Sequence, residues 1–290
     1  MATGDVIDLH WALDRARDRH HEDHEAALGE AVRCHEIART LNDPVLRCRA
    51  LVLQAAVALQ RGDLQGGVTL TAEAEPYAEG ADDDAARAEL ASVKGQLNFF
   101  AGAYAESLLQ AERAIELADR VGDLGLRVFT RRYACVVFGN IGVSDWHARP
   151  HEVLRLSIAA GNAWDEATSR NDLAHFTMEQ GDLDGAEREI ASALATAESL
   201  APDNRFALAV FNCTRSELRL RAGRADEALA DAERAVDLLA ATGDPNPYLL
   251  AMSIVVEVQA LLALGRSTRR SAPVSVPSTG SASASRRRAA

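Results

Sequence analysis

The chain has 290 residues, 48% of them apolar, and a formal net charge of −12. That is ample material for an extended buried core, and the acidic balance disfavours nucleic acid phosphates as partners. With no run of roughly 18 apolar residues and no basic segment leading into an apolar one at the N-terminus, neither a membrane span nor a signal peptide is expected, and the cytoplasm is the default compartment. Along the chain, apolar residues recur at helical spacing and the breaks fall at Gly, Asp, Asn and Pro. Helices are expected near 5–20, 25–41, 45–61, 64–79, 84–101, 104–121, 124–140, 149–160, 163–180, 183–200, 204–222, 225–241 and 247–264. The fold class is all-α.

The first two helices read as an N-terminal hairpin over 1–43. It carries His20-His21-Glu22-Asp23-His24, in which His20 and His24 lie one helical turn apart, the spacing that lets two imidazoles share an ion. No HExxH spacing or partner cysteine accompanies them, so a charged, solvated helix face is the reading and no metal is expected. Cys34, Cys48, Cys135 and Cys213 form no C-x-x-C pair and read as small buried residues.

Residues 44–266 carry a repeat. Arg61-Gly62-Asp63-Leu64, Ala101-Gly102-Ala103-Tyr104, Gln180-Gly181-Asp182-Leu183 and Ala222-Gly223-Arg224-Ala225 share one arrangement, and Leu264-Gly265-Arg266 begins a fifth. The glycines step by about 40 residues, with one irregular unit between Gly102 and Gly181, a period that belongs to stacked helical repeats. Counted from the turn glycine, position −7 holds Ala55, Gly95, Ala174 and Ser216, position +5 holds Gly67, Ser107, Ala186 and Ala228, and position +12 holds Ala74, Ala114, Ala193 and Ala235. Small residues at all three places let paired helices approach closely. Val121-Gly122-Asp123, Ala160-Gly161-Asn162 and Thr242-Gly243-Asp244-Pro245 fit a glycine C-cap followed by an N-cap. The stretch from Phe138 to Trp146 lacks phosphate-cradling glycine spacings and reads as a distorted inter-helix turn, with Trp146 and Trp164 packed beside it.

The spacing of small residues, with the turn Gly181-Asp182-Leu183-Asp184-Gly185-Ala186, resembles the tetratricopeptide repeat family over about residues 45–265. The resemblance implies an α-solenoid of antiparallel helix pairs with an extended unit, longer than the usual roughly 34 residues. Lys94-Gly95-Gln96-Leu97-Asn98-Phe99-Phe100, Arg170-Asn171-Asp172-Leu173-Ala174-His175 and Pro245-Asn246-Pro247-Tyr248-Leu249-Leu250 are similar to the repeat region that precedes the GGDEF domain of bacterial diguanylate cyclases. No GGDEF sequence is present.

The last 24 residues, Ser267–Ala290, hold five arginines and no acid among Ser, Pro and Ala, a composition typical of disorder. With codons ending in G or C, a frame shifted by one nucleotide at Arg266 reads V-D-E-A-V-R-A-G-E-R-A-L-D-R-V, which restores an acidic helix with alanine at +5 and +12. The tail is therefore expected to be a frameshifted end of a longer parent, and the uncapped last repeat a route to self-association.

No nucleophile elbow or acid/base carboxylate pair argues for catalysis, and no cofactor motif is present. The expected functional surface is the face formed by the first helix of each pair, with Lys94, Asn98, Arg131, Arg132, Arg170, Asn171, Asp172, His175, Arg215 and Glu217 as its polar groups. Such a groove suits a protein or peptide partner or a small ligand. A non-catalytic sensing module is the leading reading. The repeat region of a transcriptional regulator and a metal enzyme centred on His20 and His24 are the alternatives.

Overall fold

The computed structural model describes residues 3–20, 24–142, 148–200, 202–241 and 247–266. Within them the chain is a helical solenoid, with α1 (Thr3–Arg19), α2 (His24–Leu41), α3 (Pro44–Gln60), α4 (Leu64–Gly80), α5 (Asp84–Phe100), α6 (Tyr104–Val121), α7 (Leu124–Ile141), α8 (Arg149–Ala160), α9 (Ala163–Glu179), α10 (Leu183–Leu200), α11 (Arg205–Arg221), α12 (Ala225–Ala240) and α13 (Pro247–Ala263). Each expected helix is present within two residues of its expected bounds. Among the described residues no helix is long and apolar enough to cross a membrane. The tail from Ser267, His21–Asp23, Trp146 and the Thr242–Pro245 turn lie outside the described residues.

The repeated turn has one construction. Asp63 N donates to the Ala58 carbonyl at 2.9 Å, Ala103 N to Asn98 at 2.8 Å, Asp182 N to Thr177 at 3.2 Å, Arg224 N to Arg219 at 2.8 Å and Arg266 N to Leu261 at 2.9 Å. This closing bond satisfies a carbonyl that the helix end would otherwise leave open, and it requires the intervening residue to be left-handed. Gly181 sits there with φ 85°. Asp63, Asp83, Asp123, Asn162 and Asn204 then cap the next helices through their side chains, which is why the breaks fall at these residues.

The unit between Gly102 and Gly181 is more regular than its sequence implies. Phe138–Ile141 continues α7, and Gly142, with φ 80°, caps it 40 residues after Gly102. Of the stretch Phe138 to Trp146 expected as a distorted turn, the described part is the end of the helix expected over 124–140 and its glycine cap, because Gly139 is tolerated inside α7 while Gly142 takes the left-handed position. Cys135 stands at −7 in this unit and is buried.

Small residues set the spacing within pairs. Ala55, Ala74, Ala114, Ala186, Ala193, Ala228 and Ala235 have no exposed surface. A Cβ on Gly67 would lie 2.9 Å from Leu97 Cδ2, so that glycine lets α4 approach α5. The odd-numbered helices α3, α5, α7, α9, α11 and α13 pack in series as an inner layer, and the even-numbered ones cover them. Six helices spaced 8–10 Å apart would span a broad sheet, yet Leu59 of α3 and Leu249 of α13 line one cavity. The inner layer is therefore curled. At its far end α13 exposes Val255 and Leu262, the latter 71% accessible.

The N-terminal hairpin shares its core with the array. Leu9 and Leu13 of α1 and Cys34 and Ala38 of α2 pack with Leu46, Ala50 and Leu53 of α3. Buried charges fix its crossing. Arg17 reaches Glu89 of α5 at 2.9 Å and Asp123 at 3.3 Å, and Arg49 of α3 grips Glu89 through Nη2 and Nε at 2.8 and 3.0 Å while also reaching Asp14 at 2.5 Å. Burial pushes the Glu89 carboxyl up, and the Arg49 and Arg17 guanidiniums more than offset it, holding it below the ordinary carboxylate range.

Candidate functional site in the inner layer

A cavity of about 250 Å³ lies within the curl. Its wall is mainly apolar, with Leu59, Tyr133, Val136, Trp164, Phe206, Val210, Phe211 and Leu249, and its polar groups come from Gln60, Gln96, Arg132, Thr168, Asn171 and Asp172. These residues have a simple register. Asn171 and Arg132 both stand ten residues before their turn glycine, Asp172 and Tyr133 nine, Gln96 and Val136 six, and Thr168 and Val210 thirteen. At 3.6 residues per turn these places form one stripe along each first helix.

Arg132 is the charge at the centre. It is 8% exposed and donates from Nη1 to Asp165 at 3.2 Å, with Nε 3.9 Å from Asp172. Desolvation pushes the Asp165 carboxyl up to about 6 against the pull of Arg132, and Asp172 is raised for the same reason. Three polar atoms of the lining residues, Arg132 Nε, Trp164 Nε1 and Asn171 Oδ1, have no hydrogen-bond partner among the described residues and lie buried behind the cavity surface. Buried polar groups normally find one.

The tip of the N-terminal hairpin abuts this cavity. His20, 1% exposed, places Nδ1 2.5 Å from the Arg17 carbonyl and Nε2 3.2 Å from the Tyr133 hydroxyl, while the His24 ring meets Phe206 edge-on with centroids 4.9 Å apart. Both ring nitrogens of His20 thus face protein groups. This corrects the expectation of a solvated face at His20, and the geometry gives no support to a metal centre there. Burial drives the His20 pKa down to about 3, so the ring is neutral.

Of the residues expected on the groove, the structure brings Arg132, Asn171 and Asp172 together at the cavity. Lys94, Arg131, Arg170 and Arg215 turn instead to the covering helices. Lys94 meets Glu75, Arg131 meets Asp119 at 2.8 Å, Arg170 meets Glu189 at 2.8 Å and Arg215 meets Asp231 at 2.7 Å. They stand eight or eleven residues before the turn glycine, on the flank that faces the second layer. Glu217 pairs with Arg221 at 2.7 Å, His175 is exposed, and half-buried Asn98 lies outside the cavity wall. Trp164, expected as packing ahead of a binding pocket, is both core and wall, its ring stacked toward Phe211.

No protein-family model and no curated protein matches the sequence. Solved structures do resemble it. The apo form of the quorum sensor NprR from B. thuringiensis aligns with a TM-score of 0.62 and 13% identity over 89% of this chain and 72% of that one. A Rap protein complexed with Competence and Sporulation Factor aligns at 0.56 and 14% over 91% and 78%. A STAND signal transduction ATPase with a tetratricopeptide repeat sensor, from Pyrococcus horikoshii, aligns at 0.51 and 14% over 83% of this chain and 41% of that one. At such identities the likeness establishes the fold, a tetratricopeptide-like helical solenoid.

Proposed function

We propose that this chain is a non-catalytic sensing and interaction module that anchors a peptide segment of a partner in the inner-layer cavity. The observation that carries this reading is the cavity itself, a mainly apolar wall in the inner layer to which Arg132, Asn171 and Asp172 contribute the polar side. Its volume falls below the range of roughly 300–1,000 Å³ that encloses a whole drug-sized ligand, and suits one or two side chains of a longer segment lying along the curl. The similarity to a quorum sensor, to a Rap protein held with a signalling factor and to a repeat sensor supports a regulatory setting, in the cytoplasm of a bacterium. The stretches Lys94–Phe100 and Arg170–His175, similar to the region before a diguanylate cyclase domain, support an effector of that kind as the output.

The test is a displayed peptide library selected on the purified chain, followed by affinity measurements on a Val210→Trp variant whose helical circular dichroism matches the parent. Filling the cavity is expected to weaken selected peptides at least about tenfold, a change of about 1.4 kcal/mol. Peptides that bind the filled variant equally well would move the site elsewhere on the solenoid.

A further inference from the structure

Away from the cavity, α13 presents a surface of a different kind. The helix packs on α11 and α12 and buries Ser253, Val256, Glu257 and Ala260. At about 100° per residue, Met252, Val255, Gln259 and Leu262 fall on the opposite arc, and all four are exposed. From Pro247 to Ala263 the one charged residue is Glu257, itself buried, whereas the exposed positions of neighbouring α12 carry Asp226, Glu227, Glu233, Arg234 and Asp237. A helix that is apolar on every side is normally covered on every side.

The order of the exposed residues points to what covers them. Met252, Val255, Gln259 and Leu262 step by three, four and three residues, the a and d seam of a coiled coil. The seam is also close to symmetric about Glu257: Leu262 lies as far beyond it as Met252 lies before it, Gln259 mirrors Val255, and Ala263 mirrors Ala251. Such a seam matches its own copy running the opposite way, with each a residue against a d residue, Met252 against Leu262 at both ends, and alanines beside them that let the backbones approach. Gln259 then falls near the two-fold axis, a single polar seam residue of the kind that fixes register. The absence of exposed charge matters as well, because each copy carries a formal −12 and a charged acidic face would repel its twin.

We propose that two copies of this chain associate through α13, packed antiparallel about a two-fold axis near Glu257, in a closed isologous dimer. The helix is about 25 Å long and one of its faces about 10 Å across, so the contact lies well below the roughly 800 Å² per partner of a standard interface. Association is therefore weak, with an expected Kd of roughly 10–100 µM. None of the four seam residues lines the cavity, and their pairing is independent of what the cavity binds.

Sedimentation velocity of the full chain from about 5 to about 200 µM is expected to show a monomer–dimer equilibrium and nothing larger. Leu262→Glu and Met252→Lys, both at exposed positions and checked by helical circular dichroism, should each weaken the dimer at least about tenfold, since each brings a charge into the apolar seam twice. Combining the two in one chain tests the register. The sites stand about 15 Å apart along one helix, too far to pair within a copy, but the antiparallel packing sets each opposite the other across the axis. The double variant should therefore recover most of the lost affinity and become sensitive to salt. A chain that stays monomeric at the highest concentration, leaving the seam to a different protein, would overturn the proposal. So would species that grow past the dimer, a dimer that neither single change weakens, or a double variant no tighter than the singles.

Discussion

The Ser216 hydroxyl donates to the Ala228 carbonyl at 2.6 Å, so the −7 position of one helix touches the backbone at the +5 position of its partner. Ser107 makes the same contact in reverse, from +5 to the Gly95 carbonyl at −7, also at 2.6 Å. A side chain larger than serine at either place would have to push the pair apart. Ser216→Leu or Ala228→Leu is expected to cost about 1–3 kcal/mol through overpacking, whereas Leu262→Ser, at a position 71% exposed, should change stability by less than about 0.5 kcal/mol. Urea unfolding midpoints separate the two classes, and equal shifts would mean that the pair contact does not limit stability.

The turn glycines permit a cleaner backbone experiment. A Cβ built on Gly181 meets nothing within 4 Å, so Gly181→Ala adds no clash and tests only the left-handed conformation at φ 85°. The expected cost is about 1–2 kcal/mol, and Gly181→Asn should recover part of it, since asparagine tolerates this region. Thermal unfolding of the three proteins gives the order Gly, then Asn, then Ala. An alanine variant as stable as the parent would show that the turn relaxes without its closing bond.

Helix positions were legible in the sequence because glycine turns, aspartate caps and small-residue spacing are local features, and each has one physical cause. Gly142 was harder to recognise, since Gly139 stands close by and position −7 holds Cys135 in place of the Ala, Gly or Ser of the other units. The cavity was only partly legible. Lys94, Arg131, Arg170 and Arg215 were singled out for polarity, but polarity does not say which way a helical residue points. Counting from the turn glycine does: one residue turns the helix by about 100°, so Arg131 and Arg170 at −11 face the second layer while Arg132 and Asn171 at −10 face the curl. Tyr133, Trp164 and Phe206 gave no signal apart from their register, because an apolar wall residue reads like core. The N-terminal hairpin's long-range contacts, such as Arg17 with Glu89, had no local signature at all.

Glu89 joins α5 to both α1 and α3 through two buried arginines, so its removal strands positive charge in the interior. Glu89→Gln is expected to destabilise by about 3–5 kcal/mol, the usual cost of breaking a buried ion pair from one side. Replacing Glu89 and Arg49 together with Leu and Met should cost less than the two single changes combined, because one of the two orphaned charges disappears with its partner while Arg17 keeps Asp18 and Asp123. A double-mutant cycle in urea measures this coupling. Additive effects would assign the crossing of the hairpin to its apolar core instead of to the charges.

Acid should act on the hairpin tip through two groups of opposite sign. His20, just past the end of α1, is packed against Arg17 of α1, His24 of α2, and Arg132 and Tyr133 of α7, and its pKa falls from 6.5 in the open to about 3 when docked. The unfolded chain therefore binds a proton that the folded one refuses. The stability due to neutral His20 is complete above pH 6.5 and is lost as pH falls toward 3, by at most about 1.4 kcal/mol per pH unit. Asp165, raised from 3.8 to about 6 by burial, runs the other way: the folded chain takes up its proton first, so acid stabilises through this group between about 6 and 3.8. His20→Gln should keep the Asp165 contribution and lose the other, so its unfolding midpoint is expected to gain on that of the parent as pH falls below 6.5. Urea midpoints across that range make the comparison, and parallel curves for the two proteins would show that His20 does not stay neutral at the docked tip.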